Sequence, residues 1–304
     1  MTGPPPRSAV VEMNADSQPL QTGSSVCVPQ PGEMKSPAVV LWQTLLRAIA
    51  VLNLVLLSVT TFAVMSQQAA THAPADTAFY LQLLLSALYT LGCAYRCLLP
   101  VYDIPRLVMV NSRLSSVLVG RSVATVAEVS FAAQWAVILH QMAALTHNSL
   151  GEVVSLALVP LIVLAQCCCW HAVLTTAQRG HIVENSIWGI SAAFVALSVL
   201  LIGPRQFTQL YSQVITWCVG AATYAVFMLL FDVPMYWSRW RADQANGRQY
   251  LSLTQGVADV GRRWTVSYRW EDWKSEVLWM TLYFTVGVWV SISLIHASVA
   301  LQAH

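Results

Sequence analysis

Seven long apolar stretches, separated mostly by short polar links, leave this chain few ways to fold. They run at about 38–65, 77–100, 117–145, 152–176, 183–203, 207–231 and 276–300. About 20 mainly apolar residues span a bilayer as a helix, and in lipid every backbone N–H and C=O must be bonded within its own segment. The expectation is an all-α, polytopic integral membrane protein with a seven-helix transmembrane bundle. Composition agrees, since 56% of the 304 residues are hydrophobic and 10% are charged, against about 25% charged in soluble domains. Residues 1–37, rich in Pro, Gly, Ser and Gln, read as a disordered tail, and 38–304 as the transmembrane domain. The tail has no apolar run, so no cleavable secretory signal is expected, and Thr2 stands where myristoylation needs glycine. No internal repeat is evident.

Lysine and arginine give a direction. With seven spans, thirteen of the sixteen fall on one side: Arg7, Lys35, Arg96, Arg106, Arg113, Arg179, Arg239, Arg241, Arg248, Arg262, Arg263, Arg269 and Lys274. Arg47 and Arg121 lie within spans, and Arg205 alone lies on the other side. The positive-inside rule then puts the N-terminus in the cytoplasm and the C-terminus opposite. Seven-span G-protein-coupled receptors run the other way. The last span also has no lysine for a retinal Schiff base.

Ionisable residues inside spans are costly and usually face the bundle interior. In the third span Arg121, Thr125 and Glu128 share one helical face, and the stripe turns apolar further out. His171 ends the fourth span, His181 and Glu184 begin the fifth, Asp232 ends the sixth and Glu276 begins the seventh. All share the inner half. Arg121, Glu128, His171, His181, Glu184 and Asp232 are therefore the ligand-binding candidates. Arg121 and Glu128 are two helical turns apart, so Arg47 is an alternative partner for Glu128.

Within AQCCCWHAVLTTAQRGHIVE, a metal reading draws on Cys167, His171, His181 and Glu184. Zinc accepts all three ligand types, but the spacing matches no established signature. No metal is favoured over packing, and the cofactor stays unknown. Three successive cysteines turn by about 100° each and cannot share a face, so the triplet reads as packing or lipid-facing filler. His140 and His296 lie toward the outer ends of their spans, and a haem between them would need an inner pair that only His171 and His181 could supply.

The long segment 232–275 interleaves tryptophan with arginine. Trp237, Trp240, Arg241, Arg262, Arg263, Trp264, Trp270 and Trp273 read as a membrane-surface set, with a short surface helix within YLSLTQGVADVGRRW. The partners this implies are the lipid bilayer, a lipid or amphiphilic ligand, and other membrane proteins. The net charge of +2 and the lack of any zinc-finger or RNP-type motif give no reason to expect nucleic acid.

Three function classes fit. The first is binding or transport of a small, amphiphilic or anionic ligand at a cytoplasmic-side intramembrane polar site formed by Arg121, Glu128 and His171. The second is an intramembrane enzyme acting on lipid or isoprenoid substrates, with Glu128 or His171 as base or metal ligand. The third is a structural or assembly subunit whose polar residues lock helices together. No Ser-His-Asp order, phosphate loop or paired-aspartate motif lifts the enzyme, so ligand binding or transport leads.

Overall fold

A computed structural model describes residues 35–71, 77–203 and 206–301. Of the expected tail over 1–37, residues 1–34 lie outside the described residues, and so does Arg205. Among the described residues there are seven helices long and apolar enough to cross a membrane, the architecture of a multi-pass membrane protein. The first five are α1 (Pro37–Thr71), α2 (Thr77–Leu98), α3 (Val117–Thr146), α4 (Ser149–Thr175) and α5 (Arg179–Ile202). The sixth joins α6 (Tyr211–Phe227), a π-turn (Met228–Asp232) and α7 (Val233–Ala245). The seventh joins α9 (Trp270–Leu282), a second π-turn (Tyr283–Gly287) and α10 (Val288–Leu301). Between them lies the short helix α8 (Leu253–Val260).

Short polar links set the tight antiparallel neighbours. Ser116 caps α3 by accepting from the Val119 N–H, and Asn148 caps α4 by accepting from Gly151. His147 and Thr176 end α3 and α4 in the left-handed region, with φ of 53° and 60°, so each chain reversal is made in two or three residues. α3 sits centrally, packed on α2, α4, α5 and α10. One half of the bundle is filled by apolar side chains, including Ile138, Leu139, Met142, Leu158, Val199, Trp217 and Leu294.

Near mid-span the helices are locked by uncharged polar groups. Gln134 of α3 donates to Gln82 Oε1 of α2 at 3.2 Å and to the Ser291 carbonyl of α10 at 3.2 Å. Ser291 Oγ donates back to Gln134 Oε1 at 2.6 Å. Asn53 of α1 donates to the Phe284 carbonyl at 2.7 Å. That carbonyl is available because the second π-turn sends the Val288 N–H to Thr285 instead. Such bonds are worth about 1 kcal/mol each in lipid. Their larger effect is on registry, since any sliding of one helix leaves a polar group in hydrocarbon.

The opposite half of the bundle ends in the arginine-rich links and forms its basic end. The sixth span does not stop at 231. It continues through the π-turn into α7, and Pro234 falls just after that turn, where the wider ring has already displaced the regular bonds. Beyond α7 the chain folds into a cap. Strands β1 (Val101–Tyr102), β2 (Leu107–Val108) and β3 (Thr265–Val266) form a small mixed sheet, and α8 packs on α4. A full capping box at Ser252 and Gln255 starts α8. Gly256 is required by contact: a Cβ there would lie 2.2 Å from the Leu174 carbonyl oxygen. Arg106, at φ 56° and buried, ties the layers by reaching Asp259 at 3.1 Å. Burial draws the Arg106 guanidinium below its ordinary pKa, and Asp259 opposes that shift.

The cap redistributes the tryptophans. Trp237, Arg241, Arg262 and Arg263 are exposed, as a surface role requires, and Trp240 and Trp270 are half-buried. Trp264 and Trp273 are instead core. Trp264 donates to Asn111 Oδ1 at 3.2 Å, and Trp273 donates to the Ser267 carbonyl at 3.1 Å while packing on Trp42. The physical reason is packing: Trp264 sits among Val108, Val173, Val260 and Val266, and Trp273 among Val39, Trp42 and Leu46.

Candidate functional site

The polar side chains of the basic half gather beneath this cap. Arg121 and Glu128, seven residues apart on α3, bond directly at 2.8 Å. The long guanidinium arm runs along the helix face and closes the two-turn gap. Gln166 of α4 completes a ring, accepting from Arg121 Nη2 at 2.6 Å and donating to Glu128 Oε2 at 2.6 Å. Asp103 adds a weaker contact at 3.7 Å. Arg47 is exposed on α1 and does not join. Glu128 Oε1 accepts no hydrogen bond among the described residues, and the side chain is 10% accessible.

The Glu128 charge bears on the hydroxyls of both Tyr224 in α6 and Tyr283 in the second π-turn. The backbones of α6 and α7 pack on α5, whereas α9 and α10 pack on α1, α2 and α3. In the basic half, aromatic rings bridge the seam between the two groups. Trp279 stacks on Phe227 at 5.7 Å and on Tyr224 at 6.3 Å, and meets Tyr283 at 5.8 Å. Spans six and seven are thus joined here by flat, polarisable side chains.

A second group forms where α4 meets α5. His181 Nδ1 and Glu184 Oε2 are 2.7 Å apart, and Cys169 Sγ lies 4.0 Å from the same nitrogen. All three are buried. The close approach of the helices makes this contact: a Cβ on Gly180 would fall 2.3 Å from the Cys168 carbonyl oxygen. Tyr236 of α7 lies over the imidazole, with ring centroids 5.0 Å apart. Asn185 donates to Asp232 Oδ2 at 2.5 Å, linking α5 to the first π-turn. Asp232 in turn feels Glu276 more strongly than any other charge.

Of the residues singled out from the sequence, Arg121 and Glu128 meet in one cluster, His181 and Glu184 in a second, and Asp232 borders the second through Asn185. Cys167 and His171 join neither. Both are exposed on the outer side of α4, while Cys169 points inward. The rotation of α4 about its axis decides this, and it is fixed by Gln166 and Gly180 contacts that no local pattern reveals. Gln166, Cys169, Tyr224, Trp279 and Tyr283 were missed. An uncharged amide in an oily span is a usable signal, because lipid offers it no partner. His140 bonds Ser155 at 3.3 Å, and both it and His296 are exposed. No known protein family, curated protein or solved structure matches this chain.

In charge, the site is unbalanced. Glu128, Glu184, Asp232 and Glu276, with Asp103 at the rim, face the guanidiniums of Arg121 and Arg239, with Arg96 nearby. Carboxylates outnumber guanidiniums. Just outside the spans, burial pushes the Tyr102 phenol up and Glu276 adds to the effect. An arrangement of this kind suits a positive guest, because burying excess negative charge without a counter-charge is costly.

Proposed function

We propose that this multi-pass membrane protein binds or transports an amphiphilic cation, held in the basic half of the bundle at the seam between the sixth and seventh spans. One observation supports the reading above others: Tyr224, Phe227, Trp279 and Tyr283 form a continuous aromatic contact between spans six and seven, and the Glu128 charge bears on the hydroxyls of Tyr224 and Tyr283. A carboxylate with aromatic faces around it suits an alkylated ammonium, to which each desolvated ring face contributes up to about 2 kcal/mol. The hydrocarbon part of such a ligand would stay in lipid between α6 and α9. Asp232 and Glu276 offer further negative charge at the same depth. Arg121 and Gln166 act as positioning residues that hold Glu128 in place. Under the positive-inside rule this half faces the cytoplasm.

Binding is tested on the full chain in nanodiscs by thermal shift with an alkyltrimethylammonium, against an alkyl carboxylate of equal chain length. The ammonium compound is expected to raise the melting temperature and the carboxylate to leave it unchanged. Glu128→Gln keeps an acceptor for Arg121 and is expected to weaken ammonium binding by at least about tenfold, roughly 1.4 kcal/mol. Trp279→Leu, which leaves the Arg121–Glu128 bond intact, should weaken it as well. Equal shifts with both amphiphiles, or an unaffected Glu128→Gln variant, would overturn the reading. Orientation is checked separately. A reporter fused after His304 is expected on the non-cytoplasmic side, and a cytoplasmic signal would reverse it.

A further inference from the structure

We propose that Cys169, His181 and Glu184 form a binding site for a zinc-class divalent metal ion, with a fourth coordination position left open. This site is separate from the aromatic seam and does not depend on the ligand proposed there. The three side chains offer a thiol sulfur, an imidazole nitrogen and a carboxylate oxygen within 4.8 Å of one another. Their accessibilities are 0%, 8% and 6%. Zinc takes all three donor types, and three protein ligands plus one open position is the arrangement of its reactive sites.

Geometry supports the assignment. Zinc bonds of about 2.0–2.3 Å in a tetrahedron set the donor atoms about 3.3–3.7 Å apart. The sulfur and nitrogen, at 4.0 Å, need to close by a few tenths of an ångström. The nitrogen and carboxylate oxygen, at 2.7 Å, need to open by roughly the width of a carboxylate rotation. Neither change moves a helix. His181 and Glu184 are three residues apart on one face of α5, and the Gly180 contact holds that face against Cys169.

Charge supports it too. A thiolate, a carboxylate and a neutral imidazole together carry the charge that offsets a divalent cation. The loaded cluster is neutral overall, which is what a buried site in hydrocarbon favours. The charges bearing on Cys169 are Arg121, Glu184, Glu128 and Asp103, and Arg121 also bears on Glu184. The ion itself draws off the thiol proton on binding, because the thiolate is the form that ligates metal. Loading therefore releases the thiol proton and replaces the His181–Glu184 hydrogen bond with two bonds to the ion.

The experiment loads the purified full chain in detergent with Zn²⁺ or Co²⁺, removes the excess by desalting, and measures bound metal by mass spectrometry. About one ion per chain is expected. The cobalt form should show thiolate-to-metal charge transfer and the strong visible bands of a four-coordinate site. Cys169→Ser should abolish the charge-transfer band, and His181→Gln should weaken uptake by at least about a hundredfold. Cys167→Ser and His171→Gln should bind as the parent does, since both positions face outward. Glu128→Gln should also retain the ion, which keeps this test distinct from that of the seam. The wild-type cobalt spectrum reports sulfur ligation even where a variant does not fold. Uptake well below one ion, a spectrum without charge transfer, or equal binding by Cys169→Ser overturns the proposal.

Discussion

Arg121→Ala is expected to lower the stability of the purified protein by about 3–5 kcal/mol, the usual cost of breaking a buried ion pair by removing one partner. The loss is large because three groups depend on one guanidinium. Glu128 and Gln166 both bond it, and Asp103 leans toward it at 3.7 Å. Removing the arginine leaves the Glu128 carboxylate with the Gln166 amide as its one donor, and the Gln166 amide oxygen with none among the described residues. The readout is the apparent melting temperature in detergent with the monodisperse fraction on size exclusion. Replacing all three members together (Arg121→Met, Glu128→Leu, Gln166→Leu) removes the demand along with the supply and should recover most of the stability. That recovery separates an unpaired charge from a packing defect. An unchanged melting temperature in Arg121→Ala would show that this ring does not hold the helices.

Gly256→Ala is the second large effect, and it acts on the cap. The new methyl would sit 2.2 Å from the Leu174 carbonyl oxygen, a backbone atom that cannot rotate aside. α8 must lift from α4, at a cost of about 1–3 kcal/mol. Three cap amides report the movement: Leu251 bonded to Thr175, Thr265 to Arg106 and Ser267 to Val108. Their hydrogen exchange should quicken by about tenfold or more, as local opening becomes less costly. Gly261→Ala is the matched control, because its nearest neighbour is a flexible Leu118 methyl at 3.2 Å. If exchange in Gly256→Ala stays at the parent rate, the close approach does not anchor the cap.

The seven spans were legible because hydropathy over about 20 residues is a strong, local signal. Their contents were legible only as depth. Arg121, Glu128, His181, Glu184 and Asp232 could be placed in one half from the sequence, but which of them touch depends on how each helix is rotated. Cys167, Cys168 and Cys169 illustrate this, since 100° per residue makes them point three ways and only Cys169 reaches His181. Arg121 and Glu128 are two turns apart, long for a contact unless side-chain reach closes the gap, and the extended arginine does close it. The cap over 246–269 was half legible. The capping box at Ser252 and the apolar positions of α8 are local, whereas the pairing of Val108 with Val266 joins residues far apart in sequence. The Gln82–Gln134–Ser291 lock carried no pattern at all, because single amides in oily helices have no periodicity to read.

The first π-turn fixes more than a local bulge. Five residues close its ring, with the Val233 N–H returning to Met228, where an ordinary helix uses four. One residue is in effect inserted, and each residue carries about 100° of turn. α7 is therefore out of phase with α6 by more than a quarter revolution. α6 can keep Val214, Trp217 and Ala225 against its neighbours while α7 brings Tyr236 over His181 and Asp232 to Asn185. A continuous α-helix along the whole span could satisfy one of those two faces but not both. The sixth span is in that sense two helices that share an axis and differ in phase, and the phase step is what turns its lower half toward the polar clusters.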